Sequence, residues 1–327
     1  MSMKNKAEII IMNNSTSSIC LSNNIGIDVL VWRIGAFVFP IFGIPGHVMI
    51  IIVMLKRSQP VSLYYISISI AELIYLSFLF WDWLDVVNLV PDPRRVLNCA
   101  YFYPFVSGTG YISLLLLVQL NLDRISLIHK PQGKSLYLKN KRILIKIILT
   151  FSILILFIFH YSYSLHYDQT SFVIFGQSCR VYQHAQLWFY SIWPYVQLFA
   201  RLIPCIILMY CTITVFYNRY SNRRSFLHRQ QQTFSLVIVL LSIYTFLAVI
   251  PITIIQIFNQ YMWKYPLECF CSNCIQYKQW KLLNVLFIMW ETSVYMIKFY
   301  IKLIFSSEFR SDVKRILFFR IDNQGHL

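Results

Sequence analysis

Charge is what this sequence has least of. Asp, Glu, Lys and Arg make up 13% of its 327 residues, against 57% apolar. That balance excludes an intrinsically disordered chain and argues against an ordinary water-soluble globule. Negative charge is scarcer still, with 13 acidic residues against 29 basic ones. The signatures of catalysis are also missing. There is no phosphate-binding loop of the Gly-x-x-x-x-Gly-Lys kind, no Gly-x-Ser-x-Gly elbow and no His-Glu-x-x-His pair. The 7 histidines are dispersed without metal-ligand spacing, and the 9 glycines form no nucleotide fingerprint. No internal repeat of the transporter kind is visible. These absences set the expectation of a protein that does no covalent chemistry and uses neither cofactor nor metal.

What is present is apolar length. Seven stretches, Val29–Leu55, Tyr64–Leu84, Tyr101–Leu122, Ile143–Tyr163, Leu187–Tyr217, Phe234–Phe258 and Leu282–Phe305, can each cross about 30 Å of hydrocarbon as a helix. The fourth is rich in Ile, Leu and Phe and reads as strand in isolation. Lipid offers its backbone no partners, so helix is expected there too. The fold class is therefore an all-α membrane protein, a seven-transmembrane helix bundle.

The net charge of +16 could suggest nucleic acid, but its placement does not. Lys56 and Arg57 follow the first stretch. Arg124, Lys130, Lys134, Lys139, Lys141 and Arg142 follow the third. Arg219, Arg223, Arg224 and Arg229 follow the fifth, and Arg310, Lys314, Arg315 and Arg320 follow the seventh. If the stretches alternate in direction, all of these lie on one side, which the positive-inside rule makes cytoplasmic. The basic excess then sets topology and meets anionic lipid, with no nucleic acid partner. The N-terminus is expected outside, where Asn13 and Asn14 head two overlapping glycosylation sequons. The apolar patch Ile9–Met12 is too short for a cleavable signal, so the first stretch is expected to serve as its own insertion signal.

Of 8 cysteines, Cys205 and Cys211 fall inside the fifth stretch and read as small core residues. Cys20, Cys99, Cys179, Cys269, Cys271 and Cys274 map outside, in an oxidising compartment where disulfides form. The cluster from Cys269 to Cys274 suggests zinc but lacks an adjacent fourth ligand. Pairing among Cys20, Cys269, Cys271 and Cys274 cannot be read.

The third stretch says most. Cys99 and Arg124 lie 25 residues apart, which a helix covers in about 37 Å, enough to put one end on each side of a bilayer. An Asp123-Arg124 pair at the foot of a membrane helix is expensive and so points to function. Glu72 and Lys298 stand in mid-span, where a buried charge needs a partner. Near the foot of the chain, Phe309, Val313, Ile316 and Leu317 share a face away from Lys314 and Arg315, as an interfacial helix requires.

These residues resemble the rhodopsin-like (class A) G-protein-coupled receptors over about 29–320. The most specific part is Cys99 with Asp123-Arg124-Ile125-x-x-Ile128-x-x-Pro131, similar to the family's third helix and the loop after it. Gly43-x-x-Gly46-His47 and Ala71-Glu72-Leu73 resemble the first- and second-helix signatures, with His47 for Asn and Glu72 for Asp. Pro204 and Pro251 match the prolines that kink helices five and six. Phe309-Arg310 opens a segment similar to the short amphipathic eighth helix. The departures are several. Helix four has no Trp, and Ala248-Val249-Ile250-Pro251 replaces the sixth-helix Cys-Trp-x-Pro. Lys298-Phe299-Tyr300-Ile301-Lys302 stands for Asn-Pro-x-x-Tyr. Thr212 replaces the fifth-helix Tyr, and Gln231 the acid at the base of helix six. The Ile- and Phe-rich pattern is most similar to invertebrate neuropeptide receptors of the FMRFamide type.

The resemblance implies a Cys99–Cys179 disulfide and an extracellular segment over 1–28. It implies a seven-helix domain over 29–305, and an eighth helix with a cytoplasmic tail over 306–327. It implies a switch at Asp123, Arg124, Pro131 and Gln231, in which Asp123 holds Arg124 at rest and Lys302 would repel it. In the family, the positions of Glu72, Ser113 and Lys298 help hold a sodium ion. Here the Lys298 ammonium is expected to replace that ion against Glu72, with His47 and Ser113 completing the hydrogen bonds. The alternative is a protonated Glu72 with Lys298 snorkelling to the cytoplasm. Ligand-pocket candidates are Asp82, Asp85, Val106, Ser107, Gly110, Arg201, Gln256, Asn284 and Glu291. Val106 stands where amine receptors carry Asp, which disfavours an amine. The mixed charges suit a peptide, although Arg201 and Glu291 could simply pair. The implied partners are an extracellular ligand, a neuropeptide above all, and a heterotrimeric G protein at the plasma membrane. A small-molecule chemosensory receptor, or a transporter or channel, are the alternatives.

Overall fold

The computed structural model describes residues 27–57, 59–129, 136–167, 179–221, 229–264 and 274–322. Among them, seven helices are long and apolar enough to cross a membrane: Ile27–Leu55, Pro60–Val86, Cys99–Ser126, Lys141–Ser164, Trp193–Tyr217, Leu236–Ile255 and Leu282–Phe305. They are the first to seventh spans below. Their places match the apolar stretches of the sequence. The helices containing the sixth and seventh spans run further, over Arg229–Lys264 and Cys274–Phe305. Gln, Lys and Arg continue a helix well, and beyond the hydrocarbon nothing penalises them. Asn13, Asn14, Cys20, Pro131, Cys269 and Cys271 lie outside the described residues, as do the side chains of Gln231, Gln256 and Cys274.

The first span packs on the second and seventh, the second on the third, the fifth on the sixth, and the sixth on the seventh. The third also meets the fourth and fifth. It is the axis of the bundle: 61% of its most apolar stretch is buried, against 18% for the fourth span. The fourth instead turns Leu149, Ile155, Leu156 and Phe159 outward, which lipid accepts because its own tails are as apolar as they are. Inside, Ile50, Val53, Ile68, Ile112, Leu116, Leu120 and Leu208 form one continuous core. Cys205 and Cys211 are buried thiols.

Proline shapes the spans. Pro40 and Pro45 lie inside the first, Pro204 in the fifth and Pro251 in the sixth. Pro104 opens a wide, π-helical turn over Pro104–Gly108 in the third. A proline mid-helix lacks the N–H for the i−4 carbonyl and its ring crowds that carbonyl, so the turn widens. That turn carries Val106 and Ser107.

A two-stranded antiparallel ribbon is added to the helical plan expected from sequence. Leu165–Tyr167 (β1) pairs with Cys179–Val181 (β2), Tyr167 opposite Cys179. Cys179 is disulfide-bonded to Cys99 at the start of the third span, so the chain returns alongside its own outgoing segment. The final helix, Ser307–Asp322, buries Phe309 and Val313 and leaves Leu317 exposed. Phe309 meets Phe299 edge-on at 5.9 Å. Arg57 clamps the helix through Asp312 at 2.5 Å and Glu308 at 3.6 Å.

Close approach of the first span depends on two glycines. A Cβ on Gly46 would stand 2.8 Å from Phe299 Cβ, and one on Gly43 2.5 Å from Leu76 Cδ1. Small residues at such crossings let membrane helices touch backbone to backbone. Gly46→Val is therefore expected to cost about 1–3 kcal/mol by overpacking. Thermal unfolding in detergent should show a lowered midpoint, and Phe299→Ala, which removes the ring carbons at 3.0 and 3.2 Å but keeps Cβ, should restore only the part due to the ring.

Candidate functional site

The bundle holds ionised groups at three depths. The middle one is centred on Glu72, whose side chain is fully buried at 0% exposure. Lys298 of the seventh span donates to Glu72 Oε1, and Ser113 of the third donates to the same oxygen. Lys298 Nζ also donates to Ser113 Oγ at 3.0 Å. His47 of the first span lies 3.3 Å from Glu72 Oε2, and its Nε2 lies 2.5 Å from the carbonyl oxygen of Tyr295. A carbonyl can only accept, so the proton sits on Nε2. Nδ1 is buried without a hydrogen-bond partner, which suits a bare lone pair better than a second N–H. The imidazole is thus neutral, and the charge count is one carboxylate to one ammonium. The structure brings together the four residues that the sequence nominated.

Above this network lies a cavity of about 180 Å³. Val106, Ser107 and Gly110 of the third span, Arg201 of the fifth and Glu291 of the seventh line it, as do Lys298 and Ser113. The lower network is therefore the cavity floor. Arg201 Nη1 stands 3.2 Å from Glu291 Oε1, and its Nε donates to the Tyr111 hydroxyl at 3.3 Å. The guanidinium also sits over the Tyr111 ring, 5.4 Å from its centre. Tyr111, Tyr75 and Tyr295 were not singled out in the sequence. Tyr111 follows Ser107 by four residues and shares its helix face, a signal that could have found it.

Other candidates go elsewhere. Asp82 is buried and bound by Arg94 from the short helix Pro93–Leu97. Asp92 caps that helix, accepting from Arg94 N at 2.8 Å and from Arg94 Nε at 2.9 Å. Burial works against the Arg94 charge, but Asp82, Tyr103 and Asp92 more than offset it and hold the group above its ordinary value. Asp82 therefore has a basic partner from this chain. Asp85 is half-buried and Asn284 buried, and neither is among the cavity residues.

At the end of the third span opposite Cys99, Asp123 accepts from the Tyr64 hydroxyl at 2.6 Å on Oδ2 and from Lys146 on Oδ1. These partners come from the second and fourth spans, and neither was singled out in the sequence. Lys302, expected near Arg124, puts its ammonium over the Tyr65 ring, 3.4 Å from the centre. Asn121 donates to Ser242 Oγ at 3.2 Å, linking the third and sixth spans.

No known protein family matches this chain, and no characterised protein matches it at a significant level. Fold and site together define a multi-pass, largely α-helical membrane protein with seven apolar spans.

The Glu72–Lys298 geometry yields a sign test. Lys298→Met leaves a buried carboxylate uncompensated and should destabilise by about 3–5 kcal/mol. The double variant Glu72→Gln/Lys298→Met should recover most of that loss in thermal unfolding. Sodium at about 0.1 M, where screening is already strong, should leave the unaltered protein unmoved and partly rescue Lys298→Met alone.

Proposed function

We propose that this protein is a seven-helix receptor of the rhodopsin-like plan. It binds an extracellular ligand in the outer half of the bundle and activates a heterotrimeric G protein from the inside. The observation that carries the reading is the shared floor: Lys298 and Ser113 line the cavity and also bind Glu72. A ligand in the cavity thereby touches groups that tie the second, third and seventh spans together. Such contact is what lets differential affinity shift a two-state equilibrium. The ligand does no covalent chemistry.

In this reading the protein lies in the plasma membrane with its N-terminus outside; the basic residues clustered after the first, third, fifth and seventh spans support a cytoplasmic place for that face. Asp123 and Arg124 then stand at the cytoplasmic foot of the third span as the switch.

The ligand is small. A cavity of about 180 Å³ is below the roughly 300–1,000 Å³ of drug-sized sites, and Asp82 has its own arginine. That moves the reading from a neuropeptide to a small molecule. A peptide fits only if a single terminal residue enters.

The test is nucleotide exchange on purified heterotrimeric G protein by the receptor in nanodiscs, driven by ligands from a mixed peptide and metabolite library. Agonist-driven exchange is the expected result. Arg124→Ala should reduce it about tenfold or more, an effect of about 1.4 kcal/mol, while leaving ligand binding in place. Exchange that is indifferent to this substitution removes the switch assignment. Ligand-dependent solute flux with no exchange would instead make the protein a transporter.

A further inference from the structure

We infer that the cavity takes a small zwitterion of amino-acid size, its carboxylate on Arg201 and its ammonium on Glu291. The inference rests on the reading of this cavity as the ligand site and adds the chemical class of the ligand.

The argument begins with the exposure of the two ion pairs. Glu72 and Lys298 show 0% and 5% of their side chains. Arg201 and Glu291 show 13% and 16%, and both line the cavity. The lower pair is the more buried, with only Lys298 reaching the cavity floor, and the upper one is the more exposed to the cavity. The upper partners belong to the fifth and seventh spans, on opposite walls. Arg201 meets Glu291 through Nη1 alone, 3.2 Å from Oε1 and 3.4 Å from Oε2, rather than through the two-nitrogen fork of a bidentate pair.

A ligand with only a negative group can bind Arg201 only by drawing it from Glu291. That leaves the Glu291 carboxylate without its guanidinium partner. A ligand with only a positive group strands Arg201 in the same way. Removing one partner of a desolvated pair costs far more than exchanging both. A zwitterion exchanges both at once, and every charge remains paired. The site therefore discriminates by the penalty it imposes on singly charged molecules. The Arg201 fork is also suited to a planar carboxylate, because its donors match the two oxygens.

Size and wall chemistry agree. The cavity has room for six waters at about 30 Å³ each, the scale of one amino acid rather than a peptide. Val106, Leu114, Val249 and Ile288 offer an apolar wall for an uncharged side chain, and the Tyr111 ring already carries a cation on its face. A peptide entering carboxyl end first would bring no ammonium to Glu291.

The experiment uses the full-length chain in nanodiscs and reads thermal stability. The probes are L-leucine, L-phenylalanine and L-tyrosine, each beside its deaminated acid and its decarboxylated amine. At least one amino acid should raise the midpoint by a few degrees at saturation, and its acid and amine, alone or mixed, should give less than a tenth of its affinity. Arg201→Met/Glu291→Met removes both charges together, so it should fold and lose the response. A shift by the acid or the amine equal to that of the amino acid would overturn the inference, the acid pointing to a peptide terminus. No shift from any amino acid, or a shift retained in the double variant, would overturn it as well. Amino-acid binding without nucleotide exchange would sink the receptor reading and leave this one standing. Exchange driven by some other ligand, with no amino-acid shift, would do the reverse.

Discussion

A carboxylate in the middle of an apolar bundle has to be neutralised before the helices around it can close. Glu72 imposes that condition here, and four spans meet it. The second supplies the carboxylate, the seventh the ammonium of Lys298, the third the Ser113 hydroxyl, and the first the neutral imidazole of His47. Because those groups converge on one side chain, their helices cannot slide independently. Water is the competitor that such a pair must beat, and burial of Glu72 at 0% keeps water away. One turn further along the seventh span, Lys302 has no ion pair with a second carboxylate among the described residues. Its ammonium lies on the Tyr65 face at 3.4 Å, where the ring quadrupole offers a smaller compensation than a full charge. Glycine completes the arrangement, since the first span reaches Phe299 only because Gly46 has no side chain.

The two ion pairs near the cavity divide the labour by depth. The Glu72–Lys298 pair is closed off and multiply hydrogen-bonded, so breaking it carries a large penalty; it sets geometry. The Arg201–Glu291 pair is looser and open to the cavity, so its partners can be replaced. One pair thus ties the frame together and the other lines the cavity. The two are in contact because Lys298 and Ser113 form the floor on which any occupant rests. That contact is the physical route by which occupancy above could alter helix relations below.

Much of this was legible in the chain, for identifiable reasons. Seven spans stand out because lipid demands about 20 apolar residues in a row and leaves little alternative. Glu72 and Lys298 were readable because a charge inside such a run has to find a partner, and few exist. The partners of Asp82 and Asp123 were not readable. Arg94 comes from a five-residue helix with no periodicity to place it, and Lys146 sits within an apolar stretch near its end, where nothing in the sequence singles it out. The ribbon of three-residue strands carried no pattern either. It exists because the Cys99–Cys179 bond fixes where β2 must lie. The widened turn at Pro104 was likewise hidden: a proline in a helix announces a disturbance, not the form it takes.

The distribution of polar ties also ranks the spans by how readily each can move. The first, second, third and seventh meet at Glu72, and the second, third and fourth meet again at Asp123. These junctions include ionised groups, and hydrogen bonds to charged groups contribute about 1.5–3 kcal/mol each. The ties of the sixth span to its neighbours, among the described residues, are neutral: Asn121 to Ser242 at 3.2 Å and Tyr244 with Ser293 at 2.6 Å. Neutral hydrogen bonds between membrane helices contribute only about 1 kcal/mol net, because the separated groups find other partners. Pro251 further weakens the backbone of that span by removing one donor. A rearrangement that preserves both ionic junctions therefore falls first on the fifth and sixth spans, which take part in neither, and of these the sixth has only neutral ties among the described residues. The end of that helix closest to Ser242 and Asn121 is also the end nearest Asp123 and Arg124. The soft element and the charged foot of the third span thus lie at the same depth, where a change in one is felt by the other.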